Sequence, residues 1–263
     1  PARGAAALAR VRAEVPDARA DLVSLDLASL RSVAAAADDV ASRVESLDLL
    51  LDNAGVMAVP RQVTEDGFER QMAVNHLGHF ALTGRLLPLL LRAGDQGRDA
   101  RVVVTSSGAH RFGRVDLDDL AGARSYGRWR AYGASKLADL LFVRELDRRL
   151  RERDLPLLAV AAHPGWAATH LQSGQGNRLL EGALRLGNLL VAQSERAGAW
   201  PLLYAATMPD VQGGEYFGPD WPGELRGHPT RVGRSAAARD HALARGLWER
   251  SEQLTGVRYD ALA

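Results

Sequence analysis

Short apolar runs alternate along this chain with longer stretches of helical periodicity, and this order constrains the fold more than any other feature. The runs at 47–51, 101–105 and 155–162 show no alternation of polar and apolar residues, which is typical of parallel strands buried on both faces. Two further short strands are predicted at 20–26 and 215–217. The order predicts an α/β fold, a doubly wound parallel sheet with helical layers on both faces and right-handed crossovers.

The segments between these runs carry apolar residues at helical spacing. Ser29 is a predicted N-cap, and a loop rich in proline and glycine is predicted over 219–233. No repeat or shift in composition marks a second domain, so we predict one domain over 1–263, within which 166–208 is a helical region that covers the substrate. The predicted helices span 1–15, 29–46, 64–91, 129–153, 171–208 in two pieces, and 236–254.

Composition excludes several function classes. The 263 residues include 33 basic and 32 acidic ones, and a net charge of +1 gives no electrostatic reason to expect a nucleic acid partner. The chain has no cysteine, which excludes disulfides and thiolate chemistry. No apolar run reaches the roughly 20 residues of a membrane span, and the first residues lack a signal-peptide pattern. We therefore expect a cytoplasmic protein with no membrane span.

Lys136 is the only lysine among the basic residues, and it lies four residues after Tyr132 on a predicted helix. The two side chains therefore share a face. The one lysine kept among 33 basic residues could mark a site that needs a compact ammonium, which arginine does not supply, or it could be a chance survivor. A nearby ammonium favours phenolate, and the phenol can then exchange a proton with an alcohol or a carbonyl. The alternative is a surface tyrosine beside a lysine that extends into solvent.

Polar or small residues follow the predicted strands, where a parallel sheet places its ligand site. Ser107 follows the strand at 101–105 and could polarise a substrate oxygen, or it could simply cap the loop. Asn53-Ala54-Gly55 follows the strand at 47–51 and would let the backbone approach a flat ligand closely, although alone it is an ordinary turn. Asn75 lies among apolar residues in mid-helix, where it has either a polar role or that of a satisfied core amide.

Several short motifs, taken in their order along the chain, resemble those of the short-chain dehydrogenases/reductases, and within them the retinol-dehydrogenase-like oxidoreductases. The resemblance covers essentially the whole chain and implies a Rossmann-type three-layer fold. It also implies an NAD(P)-dependent enzyme that interconverts an alcohol and a ketone or aldehyde by hydride transfer. The motifs are Asp26-Leu27, Asn53-Ala54-Gly55-Val56-Met57, Val74-Asn75-His76-Leu77-Gly78-His79-Phe80, Ser106-Ser107-Gly108-Ala109-His110, Tyr132-Gly133-Ala134-Ser135-Lys136-Leu137-Ala138, His163-Pro164-Gly165 with Thr169, and Gly214-Glu215-Tyr216-Phe217-Gly218-Pro219.

The resemblance also implies residue roles. Tyr132 is the proton donor or acceptor, Lys136 assists it and binds the nicotinamide ribose, and Ser107 and Tyr132 contact the substrate oxygen. Asn75 holds, through its backbone, a water that extends the proton relay. The implied cofactor contacts come from Asp26, Leu27, Asn53, Ala54, Gly55, Tyr132, Lys136, Pro164, Gly165, Trp166 and Thr169. NADP is expected in preference to NAD, with an apolar alcohol or carbonyl compound as substrate, and a homo-oligomer is an open option.

The chain departs from the resemblance at three places. Asp52 stands where asparagine is usual, and Trp166 where a smaller residue is commoner. The family also begins with a strand, a glycine-rich turn and a helix that holds the pyrophosphate, and no segment here matches that unit. The first βαβ unit is therefore expected to be absent from the chain shown. The strands at 20–26 and 47–51 would then either have bare inner edges, which is the outcome we expect, or pair directly with each other. In either case nicotinamide cofactor would bind weakly.

Two other functions stay open. A catalytically incompetent truncated remnant is favoured by the missing phosphate loop, whereas the joint presence of the four catalytic candidates argues against it. A sugar-nucleotide epimerase or dehydratase of the same fold would share the tyrosine and lysine, but Asn53-Ala54-Gly55 and the short C-terminal region disfavour it. His76 and His79 lie three residues apart without a carboxylate spaced to complete a site, so no metal is expected.

Overall fold

The computed structural model describes residues 2–165 and 194–263. Its described part is built around a five-stranded sheet in which the strands follow one another in chain order. Neighbouring strands from β1 to β4 pair in parallel, and β5 pairs antiparallel with β4. The strands are β1 Leu49–Asp52, β2 Arg101–Thr105, β3 Leu158–Ala162, β4 Tyr216–Pro219 and β5 Pro229–Arg231.

Eight α-helical segments lie in the described ranges. They are α1 Ala2–Glu14, α2 Leu30–Arg43, α3 Arg70–Met72, α4 Gly78–Asp95, α5 Arg128–Glu152, α6 Glu195–Gly198, α7 Trp200–Thr207 and α8 His241–Thr255. A π turn, Ala73–Leu77, joins α3 to α4. Ser29 caps α2 by accepting a hydrogen bond from the Ser32 amide, as predicted. None of these helices is long and apolar enough to cross a membrane.

Successive residues of β2 pack on opposite faces of the sheet, which confirms the three-layer α/β architecture. Val102 and Val104 belong to the core that includes the buried faces of α5 and α8. Val103 packs on the other side against Leu202 and Ala205 of α7. Because side chains in a strand alternate between faces, a run that is apolar at every position is buried by helices on both sides.

Two predicted elements differ in the structure. The strand predicted at 20–26 does not form, because no strand of the described ranges lies beside this segment to complete a ladder. Leu49 and Leu51 of β1 are accordingly 36% and 42% exposed. The loop predicted over 219–233 contains the antiparallel strand β5, which the pattern did not reveal. The absence of a first βαβ unit stays a prediction.

The long helix predicted from residue 64 begins later, at Arg70. The Glu69 carboxylate accepts hydrogen bonds from the amides of Gln71 and Met72, so it caps the helix there. Val63 forms an antiparallel bridge with Glu69 just before this cap. Because the helix begins only at Arg70, the π turn Ala73–Leu77, rather than a regular helix, lies opposite the carboxyl end of β1.

Candidate active site

A cavity of about 530 Å³ opens where the carboxyl ends of β1, β2 and β3 meet the first half of α5. It gathers predicted site residues from four separate parts of the chain. Those that line it are Asn53, Gly55, Ser107, Tyr132, Lys136, Pro164 and Gly165. Apolar side chains form much of the remaining wall, and these are Val56, Met57, Phe112, Trp129 and Leu225.

The α5 pair lies with its side chains inside the cavity wall rather than on the surface. Tyr132 is 7% exposed, and its ring meets the Trp129 ring edge-on at 6.2 Å between centroids. The Lys136 ammonium donates to the Thr105 carbonyl at 2.8 Å and to Asp139 Oδ2 at 3.0 Å. The alternative of a surface tyrosine beside a solvated lysine is therefore wrong.

Ser107 caps the loop, which is one of the two roles considered for it, and it also lies in the cavity wall. Its hydroxyl accepts a hydrogen bond from the Ala109 amide at 3.2 Å and so caps a short 3₁₀ helix, Gly108–Phe112. The same side chain lines the cavity that contains Tyr132. A hydroxyl can accept one bond and donate another, so capping leaves its proton available to a ligand.

Asn75 lies inside the π turn and joins three elements. Its Oδ1 accepts from the Val56 amide at 2.8 Å, and its Nδ2 donates to the Val56 carbonyl and to Ser135 Oγ, each at 2.9 Å. The backbone of Asn75 is hydrogen bonded to the His79 ring. The side chain thus fixes the turn after β1 against α5, and π turns of this kind recur at functional sites. The water that the resemblance implies stays a prediction.

Several ionisable groups are buried behind the cavity. Burial raises the pKa of Asp52 to about 7, although Thr83 donates to its carboxylate at 2.8 Å. Burial and the positive charge of Lys136 lower the pKa of His76 and of His79 to about 3, so both imidazoles are neutral near pH 7. His76 is hydrogen bonded to Ser251, which belongs to α8. These contacts give the two histidines structural partners.

A buried histidine on the other side of the cavity has its tautomer fixed by its partners. His163 Nδ1 accepts from the Gly165 amide at 3.2 Å, so its Nε2 carries the proton and donates to Glu224 at 3.1 Å. Arg111 also binds Glu224, at 2.6 Å, and Glu224 has a positive φ of 58°. Such a backbone costs about 1–3 kcal/mol, which the two contacts offset. Sequence reasoning missed this link, because its three members are far apart in the chain.

Some predicted cofactor residues do not line the cavity. Asp26 is exposed, and its carboxylate accepts from the Ala28 amide at 2.9 Å. Leu27 packs in the core beside Val74. Ala54 lies in the turn between two lining residues. Their roles stay predictions, and Trp166 and Thr169 lie outside the described residues.

A parallel sheet that presents a buried tyrosine and lysine and a partly buried serine at its carboxyl edge is the arrangement that the resemblance to the short-chain dehydrogenases/reductases implies. The family model for short chain dehydrogenases matches residues 1–178. The chain belongs to this family, and its relatives are dehydrogenases.

Two relatives show how far the likeness extends. Mouse polyprenol dehydrogenase is 43% identical over 257 residues, which cover 97% of this chain and 74% of the mouse protein. Human retinol dehydrogenase 14 is 39% identical over 236 residues, which cover 89% of this chain and 66% of the human protein. The chain thus spans about two thirds to three quarters of these relatives.

Solved structures confirm the fold. An uncharacterised protein from Mycobacterium paratuberculosis is 42% identical with a TM-score of 0.70, and the alignment covers 89% of this chain and 75% of that one. An NADPH-bound carbonyl reductase from chicken fatty liver is 22% identical with a TM-score of 0.58, over 85% of this chain and 82% of that one. The second likeness concerns the fold alone.

Proposed function

We propose that this chain is the catalytic part of an NAD(P)-dependent oxidoreductase that interconverts an apolar alcohol with its aldehyde or ketone. The observation that carries the proposal is the convergence of Ser107, Tyr132 and Lys136 on one cavity whose remaining wall is largely apolar. The hydroxyls of Ser107 and Tyr132 suit a single substrate oxygen, whereas the apolar part of the wall suits a hydrocarbon chain. The names of the relatives, retinol and polyprenol dehydrogenases, agree with such an alcohol.

The cavity residues fit the nicotinamide and ribose half of a dinucleotide. A Cβ at Gly55 would lie 3.1 Å from Asn75 Oδ1, so a side chain there would crowd the amide that fixes this turn. We propose that Pro164 and Gly165 contact the nicotinamide ring, that Lys136 binds its ribose, and that Gly55 lies on the adenosine side. When bound, the nicotinamide would supply the hydride. NADP is the proposed form.

Within this proposal the protein orients the substrate and moves a proton. Ser107 donates to the substrate oxygen and polarises it. The Tyr132 phenol donates its proton to that oxygen during reduction and takes it back during oxidation. The Lys136 ammonium, one helical turn further along α5, favours the negative charge that this transfer leaves on the phenol.

Tyr132→Phe tests the proposal because it removes only the hydroxyl. Reduction of a long-chain aldehyde, followed by the loss of NADPH absorbance, should fall by roughly 10²–10⁴, the usual contribution of a positioned acid. Circular dichroism should show an unchanged fold. Tyr204→Phe, which alters a partly buried tyrosine outside the cavity whose hydroxyl donates to Asp210, is the matched control and should leave turnover unchanged. Equal turnover in both variants and the unmodified chain would contradict the assignment.

The truncated-remnant alternative is tested by the unmodified chain. It predicts no turnover with either cofactor, and titration that follows the fluorescence of reduced nicotinamide would show only weak binding. Micromolar affinity for NADPH together with turnover would exclude the remnant. An epimerase or dehydratase would instead act on a sugar nucleotide with no net consumption of NADPH.

A further inference from the structure

Asp139 is a buried carboxylate that the proposed reaction does not use. It lies on α5 three residues after Lys136, and its side chain is 1% exposed. Its Oδ2 accepts from the Lys136 ammonium at 3.0 Å, whereas Oδ1 has no hydrogen-bond partner within the described residues. Removing a carboxylate from water is costly unless another interaction offsets it. The ion pair with Lys136 is the interaction that the structure provides.

The two protein acceptors around Lys136 fix its ammonium in place. One is the Thr105 carbonyl at the end of β2, and the other is Asp139 on α5. A lysine ammonium has three donors, so two of them are used by the protein and one is left. Lys136 lines the cavity, and its Nζ faces the turn at Gly55. The remaining donor is thus the one available to a ligand.

We propose that Asp139 is a positioning residue, which together with the Thr105 carbonyl holds the Lys136 ammonium so that one N–H serves the ligand in the cavity. The inference rests on the proposed function for the role of that ligand. The contacts of Asp139 and Lys136 themselves do not depend on it. Without the carboxylate, the long side chain would keep one fixed acceptor and could swing away from the cavity wall.

The surroundings make the ion pair sensitive to pH. Burial raises the pKa of Asp139 to about 6, while the neighbouring Lys136 ammonium opposes the rise. Asp52 faces Asp139 from the end of β1, and the repulsion between the two carboxylates contributes to the raised pKa of Asp52. His76 and His79 face Lys136 as neutral rings. Tyr259 is protonated and lies near Asp52. Ionisation of Asp139 is therefore the event that forms the pair.

The single lysine makes the test direct. Isotope-labelled lysine gives one side-chain NMR signal, because Lys136 is the only lysine of the chain. We expect this signal to shift with an inflection near pH 6, where Asp139 ionises. The titration is made in an Asp52→Asn background, which removes the other nearby carboxylate. A lysine signal that does not change with pH and is the same in Asp139→Asn would overturn the proposal.

Asp139→Asn then separates positioning from packing, since it keeps the shape and an acceptor but not the charge. We expect the inflection to vanish and kcat/KM for NADPH to fall about tenfold, while the KM for the aldehyde stays unchanged. Glu145→Gln is the matched control, because it removes another buried carboxylate of α5 that pairs with Arg148 and Arg149 instead. An inflection retained in Asp139→Asn, or lost in Glu145→Gln, would overturn the proposal.

The turnover assay and the lysine titration together distinguish this inference from the proposed function. If the unmodified chain turns over no carbonyl compound but its lysine signal behaves as expected, the proposed function fails and the positioning contact stands. If turnover is present and the lysine signal ignores Asp139, only the positioning role fails.

Discussion

Arginine at position 136 would keep the positive charge but not the geometry. The ammonium of Lys136 fits between the Thr105 carbonyl and the buried Asp139 carboxylate, and 6% of the side chain is exposed. A guanidinium is planar and wider, so it does not fit the same two acceptors. We expect Lys136→Arg to lose most carbonyl reduction while its circular dichroism spectrum stays native. Near-normal turnover in a well-folded variant would show that a compact ammonium is not required.

Asp52 carries a stability penalty that depends on pH. Its pKa rises on folding from 3.8 to about 7, so the folded state holds the proton more tightly than the unfolded state does. The stability from this proton is full below about pH 4 and is lost as the pH rises through 7. The asparagine of Asp52→Asn does not titrate. The free energy of unfolding of this variant, relative to the unmodified chain, should therefore rise with pH, by at most about 4 kcal/mol at pH 8.

Urea unfolding at several pH values measures the free energy of unfolding of the variant and of the unmodified chain. Glu145→Gln should change this free energy in the opposite direction. Burial works against ionisation there, but hydrogen bonds from Arg148 and Arg149 still hold the pKa of Glu145 below its usual value. Its loss should therefore reduce stability at neutral pH and not at pH 3. An Asp52→Asn gain that is the same at pH 4 and pH 8 would contradict the burial of an ionisable carboxyl.

At the scale of elements, the π turn and the turn after β1 stabilise each other through Asn75. Asn75→Ala removes three hydrogen bonds at once, two to Val56 and one to Ser135, and leaves buried backbone groups without partners. We expect a loss of about 2–3 kcal/mol in the free energy of unfolding and a fall in turnover. Ser135→Ala removes only one of these bonds and should cost about 1 kcal/mol. Equal losses in the two variants would show that the contact with Val56 adds nothing.

The sequence predicts the elements that are set by local pattern and misses those that depend on a distant partner. The run at 101–105, with three consecutive valines, matches β2, and the predicted N-cap Ser29 starts α2. The segment 20–26 also contains apolar residues, yet it forms no strand because a strand needs a neighbour. The link from Arg111 through Glu224 to His163 joins three segments that are distant in the chain, so no spacing in the sequence predicts it.

Over the whole molecule, the chain's last residues are part of the core. Tyr259 donates its hydroxyl to the Phe80 carbonyl at 2.7 Å, and its ring lies 4.4 Å from that of Trp248. Trp248 is 1% exposed and connects α8 to α5. We expect Trp248→Ala to cost about 3–5 kcal/mol of stability in thermal or urea unfolding. Trp221→Ala is the control, since that side chain is 51% exposed, and a comparable loss there would contradict the packing argument.

The π turn also has a consequence for which insertions and deletions the chain can tolerate. The amide of Gly78 bonds to the Ala73 carbonyl five residues earlier, so this turn holds one residue more than an α-helical turn would. Deleting a single residue within 73–77 would restore a regular helix and would leave α3 and α4 in about the same relative orientation, because a π turn and an α-helical turn each complete about one turn. The loss would fall on the turn itself, where Asn75 bonds to Val56 and to Ser135. The gene should therefore tolerate most length changes in exposed loops and none within these five codons.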